Sequence, residues 1–236
     1  MKAALVNPLK QKTMKKILTW TAYAVVVALA SCSAPNEAKT EATTAKEENK
    51  STEAVEFIGG TYAVDVEAST VRWKGTEITT QFHEGTVNVH KGSIQVIDKA
   101  ISSGFVAINM NSIVVTDEDM GESSKTNLLG HLKSGDFFGV EKFPFSRLDI
   151  EGIKTKADVT YAYGKIFIRE IGQPIVFPIT VSDEDGNMVV DASLSFDRSK
   201  HDVKFRSGAF PDLFPDLGDK LINDDIELDV HIVATL

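Results

Sequence analysis

From Gly59 onward, apolar and polar residues alternate with a period of two. In "STVRWKG", Val71 and Trp73 alternate with Arg72 and Lys74. In "GTVNVHKG", Val87 and Val89 alternate with Asn88 and His90, and "GFVAINM" places Val106, Ile108 and Met110 on one face. "IELDVHIVA" places Ile226, Leu228, Val230, Ile232 and Ala234 opposite Glu227, Asp229 and His231. Each run predicts a strand with one buried and one solvated face. Lys91-Gly92, Ser103-Gly104 and Glu151-Gly152 read as turns between runs. The acidic "DEDGN" from Asp183 to Asn187 reads as a hairpin. Eight or so such strands predict a closed antiparallel barrel or a sandwich.

One stretch breaks this pattern: "LLGHLKSGDFFGVEKFPF", Leu128 to Phe145. Leu128, Leu129 and Leu132 share a helical face, and Ser134-Gly135 reads as the helix stop. Asp136 is placed to cap a second turn carrying Phe137 and Phe138, and Pro144 holds Phe143 extended ahead of the next strand. An apolar helical element inserted between strands belongs over an open barrel end. There it serves either as a plug that completes the core or as the wall of a ligand cavity.

The amino-terminal region follows other rules. Lys15 and Lys16 precede the uncharged run from Ile17 to Ala30, which is short for a membrane span, and Met14 is an alternative start. A basic segment followed by an apolar one predicts a signal peptide over residues 1–31. "LASC", Leu29 to Cys32, is similar to a bacterial lipobox, so Cys32 is expected to carry acyl chains and anchor the protein to a membrane. Residues 32–58 are rich in Ala, Thr, Glu and Lys and are expected to form a disordered linker. Its random-coil reach of roughly 25–30 Å would hold the domain clear of a bilayer.

Composition narrows the chemistry. Hydrophobic residues make up 42% of the 236 and charged residues 25%, which suits a packed core. A formal net charge of -9 argues against a nucleic-acid partner. With Cys32 the single cysteine, no intrachain disulfide forms. The five histidines make no HxH or HxxxH pair, and there is no GxSxG and no glycine-rich phosphate loop. "DEDGN" lacks the closing acidic residue of a calcium loop. No metal site, catalytic residue or cofactor is therefore expected. Asp224 and Asp225, at the start of a strand, are expected to face solvent. Arg198 extends the inward parity of Leu194 and Phe196, so it is either half of a rim ion pair or the partner of a ligand's polar head.

Five segments in order carry a family resemblance: "YAVDVEASTVRWKG", "LLGHLKSGDFFGVEKFPF", "YGKIFIREIGQPIVFPI", "FDRSKHDVKF" and "LGDKLINDDIELDVHIVA". Together they resemble the YceI-like family of bacterial envelope lipid- and polyisoprenoid-binding domains, over residues 59–236. The resemblance implies an all-β, lipocalin-like, eight-stranded antiparallel barrel with a short helical insertion at one end. It also implies that the barrel holds an isoprenoid or another long-chain apolar lipid, such as a quinone, without catalysis. Many relatives carry His-Ser near the first strand, where this chain has Ser69-Thr70.

Inward parity then supplies the expected cavity residues. These are Val71, Trp73, Val87, Val89, Val106, Ile108, Phe143, Phe145, Ile166, Ile168, Phe177, Ile179, Leu194, Phe196 and Arg198, with Leu132, Phe137 and Phe138 from the insertion. Ala162 and Gly164 share the inward face and leave room there. The expected function is binding or carriage of an isoprenoid-like molecule in the cell envelope, lipid-anchored on the periplasmic or outer-membrane side. The alternatives are an envelope enzyme acting on a lipid or quinone in the same cavity, and a filled barrel acting through its surface.

Overall fold

The computed structural model describes residues 55–78 and 81–236. The signal segment, Cys32 and most of the expected linker lie outside the described residues. The eight strands are β1 (Gly60–Glu77), β2 (Phe82–Ile97), β3 (Ala100–Val115), β4 (Phe145–Lys156), β5 (Val159–Ile168), β6 (Ile171–Glu184), β7 (Asn187–Asp197) and β8 (Ile222–Thr235). Each pairs antiparallel with the next, and β1 pairs with β8 to close the barrel. Closure leaves no unpaired sheet edge. The alternation is visible in β7, where Leu194 and Phe196 are buried and Ser193 and Ser195 exposed. Among the described residues, no helix is long and apolar enough to cross a membrane.

Four of the connections are two-residue turns with both residues at positive φ: Asp98-Lys99, Ala157-Asp158, Arg169-Glu170 and Asp185-Gly186. That geometry matches the right-handed strand twist. The last turn is the "DEDGN" hairpin, as its residues predict. The other three lack glycine, so the pairing of long strands fixes them rather than local preference.

The expected turns at Lys91-Gly92, Ser103-Gly104 and Glu151-Gly152 are instead inside β2, β3 and β4. The physical reason is close backbone approach. A Cβ on Gly92 would come within 2.7 Å of the Phe105 carbonyl, and one on Gly104 within 2.8 Å of the Ser93 carbonyl. Register shifts fall at Val89/Lys91 and Ile150/Gly152, so two of these glycines mark bulges.

Residues ahead of the expected domain boundary at Gly59 pack on the barrel. Phe57 is only 6% exposed, and its ring meets Tyr62 edge-on at 6.0 Å. Glu56 forms a 2.7 Å ion pair with Lys99. Among the described residues, packing on the barrel therefore starts ahead of Gly59.

Alternating strand direction sorts the connections. The β1–β2, β3–β4, β5–β6 and β7–β8 connections share one end, and the remaining hairpins share the other with both ends of the barrel sheet. The β3–β4 connection carries α1 (Glu122–Lys133), which ends at Ser134 as predicted but starts a turn before Leu128. The chain then folds back on the helix. The amides of Phe138, Gly139 and Val140 donate to the carbonyls of Leu132, Ser134 and Lys133 at 3.1, 2.7 and 3.0 Å. Leu132, Phe137 and Val140 are buried as a result.

Candidate functional site

The barrel encloses a cavity of about 320 Å³. That is within the range of roughly 300–1,000 Å³ for small-molecule sites. The inward faces of the strands supply the wall. Val71 and Trp73 come from β1, Val87 from β2, and Val106 and Ile108 from β3. Ile166 and Ile168 come from β5, Phe177 and Ile179 from β6, and Leu194 and Phe196 from β7. Leu132, Phe137 and Phe138 line it from the β3–β4 connection, so the stretch from Leu128 to Phe145 forms part of the cavity wall as well as of the core. Ala162 lines the cavity, whereas Gly164 is buried beside it.

Four expected residues lie elsewhere. Val89 is buried in the core but does not reach the cavity. Phe143 sits in the turn before β4, its amide donating to the Gly139 carbonyl at 2.9 Å and its ring beside Lys142 and Arg169. Phe145 is 47% exposed and stacks on His90 at 4.6 Å outside the barrel. Pairing of Phe145 with Asn109 and of Ser146 with Ile108 sets this register, so Ser146, Leu148 and Ile150 turn inward in place of the phenylalanines. A shift of one residue exchanges the two faces of a strand.

Arg198 is the fourth. It is 0% exposed and does not line the cavity. Strand β7 ends at Asp197, so inward parity does not carry past it. Its Nε donates to the Asn223 carbonyl at 3.1 Å, and Nη1 donates to those of Val203 and Phe205 at 3.0 Å each. Its Nη2 donates to the Ile222 carbonyl at 3.0 Å and lies 3.2 Å from Asp224 Oδ1. Asp224 therefore turns inward, contrary to its expected solvent exposure. Its Oδ1 makes no directed hydrogen bond, so the contact with Arg198 is chiefly charge attraction. Burial lowers the Arg198 pKa, and the charges of Asp224 and Asp197 oppose that shift. The guanidinium is a pin between the long β7–β8 connection and the start of β8.

Several polar groups on the wall lie at the end that carries the long connections. Thr76 and Glu77 close β1, His83 opens β2, and Arg206 lies in the β7–β8 connection. His83 Nδ1 sits 2.6 Å from Asp117 Oδ2, and Asp117 Oδ1 accepts the Glu84 amide at 2.7 Å. His131, on the last turn of α1, also reaches the cavity. His131 is three residues after Leu128 and adjoins Leu132, so the helical face of the leucines was the signal that could have placed it. His201 is buried elsewhere, its Nδ1 2.8 Å from the Ile171 carbonyl. His231 pairs with Asp191 at 2.7 Å. Among the described residues, no group of three His, Cys, Asp or Glu side chains is placed to hold a metal. Ser69 accepts the Val233 amide at 3.0 Å and ties β1 to β8.

The interior of the closed barrel is mainly apolar, with Glu77, His83 and Arg206 on the wall at the long-connection end. Residues 62–234 match the model of the YceI-like domain. The chain belongs to the YceI-like family. Among solved structures, the family fold is seen in Burkholderia cenocepacia BcnA, with a TM-score of 0.58 at 18% identity over 73% of this chain and 99% of that one. It is also seen in a polyisoprenoid binding domain from Saccharophagus degradans, with a TM-score of 0.54 at 11% identity over 74% of this chain and 97% of that one. No curated protein matches the chain significantly.

Proposed function

We propose that this YceI-like protein binds an isoprenoid-like chain in its barrel and carries or sequesters it in the bacterial envelope without chemical change. The observation that carries the reading is the cavity of about 320 Å³ walled by Val, Ile, Leu and Phe side chains from all eight strands and the α1 segment. A flexible hydrocarbon gains from leaving water and needs few polar contacts to be held. The Saccharophagus degradans neighbour, named for polyisoprenoid binding, supports the same reading. The lipobox-like "LASC" supports a membrane tether at Cys32.

The test is native purification of the full chain, followed by mass spectrometry of apolar compounds extracted from it. The expected result is a stoichiometric prenyl or other long-chain compound that is absent when the cavity is filled by Ala162→Phe. Recovery of none, together with failure to take up added farnesyl compounds, would sink the binding reading. Partition of the wild type and Cys32→Ser into detergent tests the tether, with loss of the membrane fraction expected only for the variant.

A further inference from the structure

A second pocket, of about 270 Å³, lies at the long-connection end and is walled by connections alone. Asp136 follows α1, Arg169 is in the β5–β6 turn, and Lys204, Phe205, Leu213 and Phe214 belong to the β7–β8 connection. Of the described residues on this wall, Phe205 alone also lines the barrel cavity. Its ring is half-buried and stands between a residue of each space: His131 of the cavity at 4.3 Å and Phe214 of the outer pocket at 5.7 Å.

The frame around that ring is fixed. Three consecutive carbonyls, of Lys204, Phe205 and Arg206, accept from the Ser207 amide, Arg198 Nη1 and the Ile222 amide, each at 3.0 Å. Arg169 Nη1 donates to the Phe137 carbonyl at 3.1 Å and to the Asp202 carbonyl at 2.6 Å, so it bolts the segment after α1 to the β7–β8 connection. A backbone tied at each carbonyl leaves the ring's own torsions as the free motion. Turning one side chain costs less than lifting a connection, which would break these bonds. The outer pocket suits the passage of an apolar chain. Its cations are held by a carboxylate, with Lys204 Nζ 2.7 Å from Asp202 Oδ1 and Arg169 Nη2 3.8 Å from Asp202 Oδ2. Leu213, which is 58% exposed, and Phe214 give it an apolar side.

We propose that Phe205 is the door of the barrel and the outer pocket its vestibule: an apolar chain enters and leaves past the rotated Phe205 ring while the surrounding backbone stays in place. The inference rests on the binding function proposed above and adds the route and the residue that sets the rate of exchange. A door changes the barrier and not the end states, so it acts on uptake and release alike and leaves affinity nearly constant. A residue that only touched the bound chain would change release and affinity together.

The probe is farnesyl anthranilate, whose fluorescence reports uptake by the full chain in stopped flow and release on a chase with excess farnesol. Phe205→Ala should speed uptake and release about 10-fold or more and change affinity less than about 3-fold. Leu213→Cys, in a Cys32→Ser chain, lets pyrene maleimide plug the vestibule from outside. That label should slow both rates about 10-fold or more. The same label on Ser195→Cys, on the exposed outer face of β7, should leave them unchanged. Wild-type rates in the labelled Leu213→Cys chain overturn the proposal, and since Leu213 is exposed this readout stands whether or not Phe205→Ala folds. A folded Phe205→Ala chain that takes up the probe at the wild-type rate also overturns it, because Phe205 is then wall and not door. If the wild type takes up no probe at all, the binding function itself fails, which is a separate outcome.

Discussion

Replacing Arg198 by methionine tests whether one buried cation holds the long-connection end of the barrel together. Methionine keeps the volume of the side chain's stem and removes its charge and every donor. Four carbonyls, of Val203, Phe205, Ile222 and Asn223, then lose their partner, and Asp224 loses its counter-charge. Hydrogen bonds to a charged group are worth about 1.5–3 kcal/mol each, so a simple sum would reach roughly 6–12 kcal/mol. That sum is too large, because the freed carbonyls lie on the β7–β8 connection and the first residues of β8, at the barrel end, where water can reach them after small movements. Loss of one partner from a buried ion pair costs about 3–5 kcal/mol, and that is the expected loss here. Against a total stability of about 5–15 kcal/mol, the variant would be marginal. The assay is equilibrium unfolding in urea followed by circular dichroism, with limited proteolysis of the 203–222 connection as a local readout. Asp224→Asn should cost less, since the amide still offers an acceptor, and the double variant should cost less than the two losses added together. A loss below about 1 kcal/mol with an unchanged urea slope would refute the pin, since it would mean that water or neighbouring groups replace the guanidinium freely.

Other consequences follow from the same geometry. Phe138→Ala should cost about 1–3 kcal/mol, less than the 3–5 of a fully buried ring because Phe138 is half-buried, and should weaken binding of a farnesyl probe. A stability loss with unchanged affinity would make the segment a core plug only. Gly85→Ala should cost about 1–3 kcal/mol by driving a methyl group into the Val114 carbonyl and the Trp73 ring, and should shift the indole fluorescence. A silent substitution would contradict the close packing of the indole on β2. Burial holds the pKa of His201 and His131 below 6.5. Each is neutral in the folded barrel, and the unfolded chain binds the proton more readily, so stability is full above pH 6.5 and falls as pH drops below it. Melting temperatures from neutral pH down to about pH 5 should show this, and His201→Phe should flatten the slope. A melting temperature independent of pH in the wild type would remove this linkage.

What the chain alone determined is the set of elements whose code is local. Alternation such as Ile226, Leu228, Val230, Ile232 and Ala234 in β8 needs only a period of two to define a buried face, and those side chains do point inward. Asp185-Gly186 carries its own turn preference, and Leu128, Leu129 and Leu132 their own helical face. Tertiary structure decided whatever depended on a partner distant in the chain. Register against β3 put Phe145 outside and Leu148 inside, although phenylalanine is the more apolar-looking choice by pattern. Gly92, Gly104 and Gly152 look like turns locally, but neighbouring strands require their missing side chains. Parity leaves Arg198 as half of an ion pair or as a ligand contact, and the folded chain decides for the pair with Asp224, ringed by carbonyls from residues 203 to 223. His131 became part of the cavity because α1 folds across the barrel end. The difference is physical: a hydrophobic period is written in consecutive residues, whereas register, close approach and hydrogen-bond satisfaction arise only when separate strands meet.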